Sequence, residues 1–175
     1  RQAKEVNFGV LYGMGAFGLA QRLGISRQRA QEFITQYFEK FARVKEFINE
    51  TIETTRQNGY VETMAGRRRP LPDISASNHL SRANAERIAI NTPIQGSAAD
   101  LMKIAMINVH ESLQKENLKS KMLLQVHDEL VFEAHPEEID ILSRLVREGM
   151  STAMELKVPL EVDISSGLNW LEAHE

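Results

Sequence analysis

The 175-residue chain contains no cysteine. Disulfides, thiolate zinc centres and cysteine nucleophiles are therefore excluded together, and the composition suits a reducing compartment. No apolar run approaches the roughly 18 residues that a membrane span needs, and no signal peptide opens the sequence. Internal repeats and low-complexity segments are missing too. What is present is globular in character. Hydrophobic residues make up 42% and charged residues 26%, enough to bury a core and keep the surface hydrated. The length suits one domain or slightly more. The first residue is Arg1 rather than Met, and structured sequence follows at once, as in an excerpt.

The net charge of −3 selects no partner, but its distribution is uneven. Residues 1–69 hold 12 Lys+Arg against 7 Asp+Glu, whereas residues 70–175 hold 9 against 17. A basic part for phosphates joined to an acidic part for metal would have this form. Two solvated surfaces of different charge would have it as well.

Helical spacing predicts helices over 1–11, 17–23, 27–41, 44–57, 77–91, 94–117 and 136–156. Gly13-Met14-Gly15 breaks the first, Ser26 is an N-cap, Asn58-Gly59 a C-cap, and Thr92-Pro93 a break. Strands are predicted over 60–63, 121–126, 130–134 and 158–164. Gly66 and Arg67-Arg68-Arg69 form a turn, after which Pro70 and Pro72 hold the chain extended. The expected class is α+β: a mostly helical first part, then a small antiparallel sheet made of an acidic hairpin and a C-terminal strand.

Four clusters carry chemistry. Arg1, Lys4, Phe8 and Tyr12 share one helix face, basic at one end and aromatic at the other. Such a face suits a nucleotide, with cations for phosphates and rings for sugar or base. The spacing is equally that of an amphipathic helix with core aromatics. Arg67, Arg68 and Arg69 offer planar forks suited to phosphate, or simply a solvated basic loop. Arg87, Asn91 and Gln95 form a polar line at four-residue spacing. Their amides could read minor-groove acceptors without preferring a sequence, or cap a Pro-broken helix. His127, Asp128 and Glu129 sit between two β-forming runs, where carboxylates on a turn suit magnesium. A polar turn has the same composition.

Lys4-x-x-x-Phe8-Gly9-x-x-Tyr12-Gly13 strongly resembles the fingers-helix motif of family A DNA polymerases, the bacterial polymerase I type. Thr63-x-x-Gly66-Arg67-Arg68 is similar to another motif of that family. The stretch from Arg87 through Asn91, Pro93 and Gln95 to Asp100 resembles its palm segment. His127-Asp128-Glu129 resembles its catalytic hairpin, and Asn169-Trp170 to His174 its C-terminus. Four ordered motifs over nearly the whole chain make coincidence very rare.

The resemblance implies a C-terminal fragment, with a fingers subdomain over 1–75 and part of a palm over 76–175. It implies that Arg1, Lys4, Phe8 and Tyr12 bind the incoming dNTP, and that Phe8 discriminates against dideoxynucleotides. Arg67, Arg68, Arg87, Asn91, Gln95 and His127 would contact primer–template DNA. Asp128 would be a magnesium ligand, with Glu129 and Lys4 completing the catalytic set. Two-metal transfer needs a second Asp on a motif like Asp-Tyr-Ser-x-x-Glu, which residues 1–175 do not contain. The fragment alone is therefore expected to be inactive, to expose a sheet edge, and to partner the upstream part of its own chain. Asp100 reads as a helix-start residue and Asp163 as structural. Location would be cytoplasmic and nucleoid-associated in a bacterium, with no membrane partner. Two other classes stand beside this one. One is a non-catalytic nucleic-acid-binding module of the same fold. The other is a metal-dependent phosphohydrolase, although His79 and His110 lie in no such motif.

Overall fold

Local capping chemistry sets most of the helix ends. The computed structural model describes residues 2–174, with side chains described from Val6 to His174. Helix α1 (Gln2–Leu11) ends at the glycine turn, and α2 (Ala16–Leu23) stops at Gly24 in the left-handed region, φ 65°. Ser26 then caps α3 (Arg27–Lys40), its Oγ accepting from Arg29 N at 3.2 Å. Helix α4 (Ala42–Asn58) closes on Gly59 at φ 76°.

The chain divides into two compact units, residues 1–97 and 98–175. The first holds α1–α4, a small hairpin of β1 (Tyr60–Glu62) and β2 (Arg68–Pro70), α5 (His79–Asn91), and a π-helical turn, Thr92–Gly96. It has two cores. Val6, Val10, Leu19 and Ala30 form one. Val61, Leu71, Ile74, Ala85 and Ala89 form the other, which packs α5 onto the hairpin.

The second unit holds most of α6 (Ser97–Lys115), the antiparallel hairpin β3 (Lys121–Val126) and β4 (Glu129–Glu133), and α7 (Ile139–Ser151). Its core is Val109, Leu113, Leu142 and Val146, with Met122, Phe132 and Ile164 packed around it. Gly149 lets α7 approach α6 closely: a Cβ there would stand 2.8 Å from Val109 Cγ2. The α+β class holds, mostly helical with two small antiparallel sheets. Among the described residues no helix is long and apolar enough to cross a membrane.

Four expectations differ. The C-terminal strand over 158–164 does not form, because no described segment pairs with it and Pro159 has no N–H to donate. Ile164 packs this irregular stretch against the core of the second unit. Helix α7 stops at Ser151, where the Thr152 N–H and Oγ–H both return to the Glu148 carbonyl (3.1 and 2.7 Å). Thr92-Pro93 widens the helix into a π turn instead of breaking it, with Thr92 Oγ donating to the Ile88 carbonyl at 2.8 Å. Part of the arginine run, expected as a turn, is strand β2, in register Glu62 opposite Arg68.

A single carboxylate ties α7 to the hairpin. Glu138 accepts from Lys119 N (3.0 Å), Ser120 N (2.9 Å) and Ser120 Oγ (2.7 Å). The Lys119 N–H, then the Ser120 hydroxyl, hold its pKa down to about 2 from an ordinary 4.5. A depressed carboxylate contributes stability that is complete above its unfolded value and lost as pH falls through its folded one. Glu138→Gln should therefore lower stability at neutral pH. Its deficit against the parent should shrink between pH 4.5 and about 2. Urea melts at neutral and acid pH would check this, and a deficit constant with pH would refute it.

Candidate functional site

In the first unit a cleft of about 910 Å³ collects side chains from distant parts of the sequence. Phe8 and Tyr12 come from α1 and its C-terminal turn, Arg87 and Asn91 from α5, and Gln95 from the π turn. These five are among the residues expected at the site. The rings of Phe8 and Tyr12 stack at 6.0 Å with 18° between planes, and Phe8 is 46% exposed despite its size. A stacked aromatic pair with one ring exposed and the other half-buried is a platform for a planar ligand. Arg87 donates to Asn84 Oδ1 at 3.0 Å, which orients it along the cleft wall. Asn91 Oδ1 is buried with no hydrogen-bond partner among the described residues. That arrangement costs about 1–3 kcal/mol until a donor arrives. Arg1 lies outside the described residues, as does the side chain of Lys4, whose backbone belongs to α1.

The arginine run does not act as one patch. Arg67 Nη2 donates to the Gly96 carbonyl at 3.2 Å, and its N–H donates to Thr63 Oγ at 3.1 Å. Gly96 is required there, since a Cβ would stand 2.7 Å from Thr63 Cγ2. Ser97 Oγ accepts from Met64 N at 2.8 Å and donates to the Pro93 carbonyl, fastening the glycine turn to the π turn. Arg68 pairs with Glu62 at 2.7 Å and lies 4.5 Å over the Tyr60 ring. Its hydrogen bond to Glu62, then the charge of Tyr60, raise the guanidinium further above its ordinary pKa. Neither Arg67 nor Arg68 lines the cleft. Arg69 does, and so does Arg22 of α2; the motif reading assigned neither. The placement of Arg69 follows from its pairing opposite Val61, and no sequence signal marked Arg22.

In the second unit the β3–β4 hairpin turns on two residues, His127 and Asp128, between the paired Val126 and Glu129. His127 takes φ 54°, the left-handed conformation, and Gln125 Nε2 clamps its carbonyl at 2.8 Å. His127, Asp128 and Glu129 are all exposed. The C-terminal turn reaches Glu129, whose Oε2 lies 3.2 Å from His174 Nε2. The Trp170 indole donates to the same nitrogen at 3.2 Å, while His174 Nδ1 meets the Trp170 carbonyl at 2.8 Å. Neutral His174 accepts from the indole; protonated His174 donates to Glu129 instead. The Trp170 carbonyl, then Glu129, raise its pKa, which favours the Glu129 pairing as pH falls.

Asp128 thus presents carboxylate oxygens on a rigid tip, the donor type magnesium prefers. Among the described residues no three His, Asp or Glu side chains gather to hold a metal by themselves. Magnesium is commonly held by one or two carboxylates together with substrate phosphates, and a single presented carboxylate fits that mode. Asp100 lies buried in the first turn of α6, as expected of a helix-start residue.

Comparison with known proteins gives three matches. The sequence model described as DNA polymerase family A matches residues 1–172. DNA polymerase I of Caldicellulosiruptor bescii is 53% identical over 171 residues, 98% of this chain and 20% of that protein. That of Bacillus subtilis is 51% identical over 173 residues, with 99% and 20% covered. The chain therefore spans about a fifth of the length of the curated relatives it matches. Among solved structures, the POL domain of Pol1 from M. smegmatis, in complex with DNA primer–template and dNTP, superposes with a TM-score of 0.97. It is 46% identical, over 100% of this chain and 31% of that one.

Proposed function

Because the chain belongs to DNA polymerase family A, we propose that it supplies the fingers, over 1–75, and part of the palm, over 76–175, of a longer template-directed DNA polymerase. The observation that carries this reading is the cleft. It joins stacked aromatics, three arginines and two amides from distant parts of the sequence, one amide oxygen still lacking a partner. The solved neighbour whose description includes primer–template and dNTP supports it.

The reaction is attack of a primer 3′-hydroxyl on the α-phosphorus of a dNTP, releasing pyrophosphate. Arg1 and Lys4 offset the triphosphate charge, Phe8 packs against sugar and base, and Tyr12 occupies the template-base position. Arg87, Asn91 and Gln95 bond minor-groove acceptors that every correct pair presents. His127 lies by the primer end, and the arginine run serves the DNA backbone. Magnesium, when bound, neutralises charge developing on the transferred phosphate. Asp128 would hold it, with Glu129 supporting the tip and the second carboxylate coming from upstream sequence. The partners are primer–template DNA, dNTP and the upstream chain, in bacterial cytoplasm near the nucleoid.

The test is primer extension with a labelled primer–template, four dNTPs and magnesium. The longer protein should extend the primer only where template and dNTP match, and the 175-residue chain alone should not extend it. Extension by the chain alone would refute the divided metal site; no extension by the longer protein would refute the polymerase reading.

A further inference from the structure

Ser97 opens α6, where a serine would ordinarily cap the helix from an extended backbone. Its backbone is instead already helical, at φ −66° and ψ −37°, and its side chain turns back along the chain. The hydroxyl donates to the Pro93 carbonyl, four residues earlier, and accepts from Met64 N at 2.8 Å. Ser97 is buried, and its hydroxyl both donates and accepts. One bond lies within the π turn, and the other reaches the glycine turn of the β1–β2 hairpin.

The π turn is a place where ordinary helix bonding fails. Pro93 has no N–H, and Thr92–Gly96 widens around it. Two hydroxyls stand in at its ends. Thr92 Oγ donates to the Ile88 carbonyl at 2.8 Å, and Ser97 Oγ to that of Pro93. Widening also changes which residues align. Four residues exceed one α turn of about 3.6 residues but fall short of one π turn. Gln95 is thereby brought back toward the line of Arg87 and Asn91, and all three line one cleft. Gln95 is exposed, and among the described residues its amide makes no hydrogen bond. Its aim therefore depends on the backbone that carries it.

The hairpin that receives the turn is stiff. Thr63 is buried, its N–H donates to the Arg67 carbonyl at 3.0 Å, and its carbonyl accepts from Gly66 N at 2.9 Å. Val61 and Leu71 sit in the core behind it. Contact at Gly96 leaves no slack, since a Cβ there would stand 2.7 Å from Thr63 Cγ2.

We propose that Ser97 is a positioning residue for Gln95. Through Pro93 and Met64 it fixes the π turn on the hairpin and so aims the Gln95 amide at the terminal base pair. This assignment rests on the polymerase reading above and deepens it, adding a buried residue that does not line the cleft.

The experiment is single-turnover primer extension by the longer polymerase, run below the melting temperature of every variant. Ser97→Ala should slow extension by about tenfold or more, with dNTP and DNA saturating, because a group misplaced by a fraction of its own size loses its effect. Gln95→Ala should cost at least as much. The double variant should be no slower than Gln95→Ala alone, because either change removes the same interaction. Ser97→Thr keeps the hydroxyl and should run within a few-fold of the parent. Ser97→Val has the shape of that threonine without its hydroxyl and should be as slow as Ser97→Ala. Damage to packing alone would affect the threonine and valine variants alike and would multiply with Gln95→Ala. The assignment is overturned if Ser97→Ala stays within about twofold of the parent while Gln95→Ala is slow, or if the two effects multiply. Equal rates for Ser97→Thr and Ser97→Val would overturn it too. Gln95→Ala running as fast as the parent would remove the task Ser97 is assigned, yet leave template-directed extension standing. Only a parent that extends no primer refutes the polymerase reading, so the two fail separately.

Discussion

Asp128→Ala in the full-length polymerase should abolish turnover, with kcat lower by at least about 10³-fold, or ~4 kcal/mol of barrier. Affinity for primer–template should stay within a few-fold. The reason for this separation is geometric. Asp128 is exposed on a two-residue turn whose flanks, Val126 and Glu129, are paired, so its side chain does little to hold the hairpin. Alanine removes oxygen donors and leaves the backbone ladder intact. Asp128→Asn should behave almost as badly, because it keeps the shape and loses the charge that magnesium requires. Single-turnover rates with saturating DNA and dNTP would measure this directly. A variant within tenfold of the parent would show that Asp128 is not a metal ligand. In Glu129→Gln the fall should be smaller, because Glu129 is proposed to support the tip rather than hold the metal, and it already meets His174 at 3.2 Å.

The second large effect belongs to Lys4. Lys4→Ala should raise the KM for dNTP by about 10- to 100-fold, with a much smaller change in kcat. This is the loss of one charge-assisted contact to phosphate, about 1.5–3 kcal/mol. Lys4 precedes Phe8 by four positions on the helix, so phosphate and base ends of one ligand would lie along one face. Lys4→Arg should recover most of the affinity, and primer–template binding should not change. Titration of dNTP against the binary complex with DNA is the decisive measurement. Unchanged nucleotide affinity would remove Lys4 from the site.

Elements governed by local chemistry were legible in the sequence. Ser26, Gly24 and Gly59 each bounded a helix as read, because a cap needs only its own few neighbours. The β3–β4 hairpin was legible for the same reason. Elements that depend on a partner were not. Arg68-Arg69-Pro70 becomes strand only because Tyr60–Glu62 pairs with it, and 158–164 fails to become strand because no described segment does. The site divides in the same way. Helical spacing left Phe8, Tyr12, Arg87, Asn91 and Gln95 open to an ordinary structural reading; the resemblance of their motifs singled them out, and all five line one cleft. Which arginine of the run faces inward depended on strand register, and Arg22 depended on how α2 packs. Neither is written in a local window.

The turn at His127 sets stability against use. A side chain in the left-handed region costs roughly 1–2 kcal/mol that glycine would not incur, yet His127 sits there at φ 54°. Glycine at this position would relax the hairpin and discard the imidazole together. If His127 serves the primer end as proposed, selection for heat resistance and selection for primer extension pull position 127 in opposite directions. A histidine that persists through thermostability selection would be kept by its chemistry rather than by its fit to the backbone.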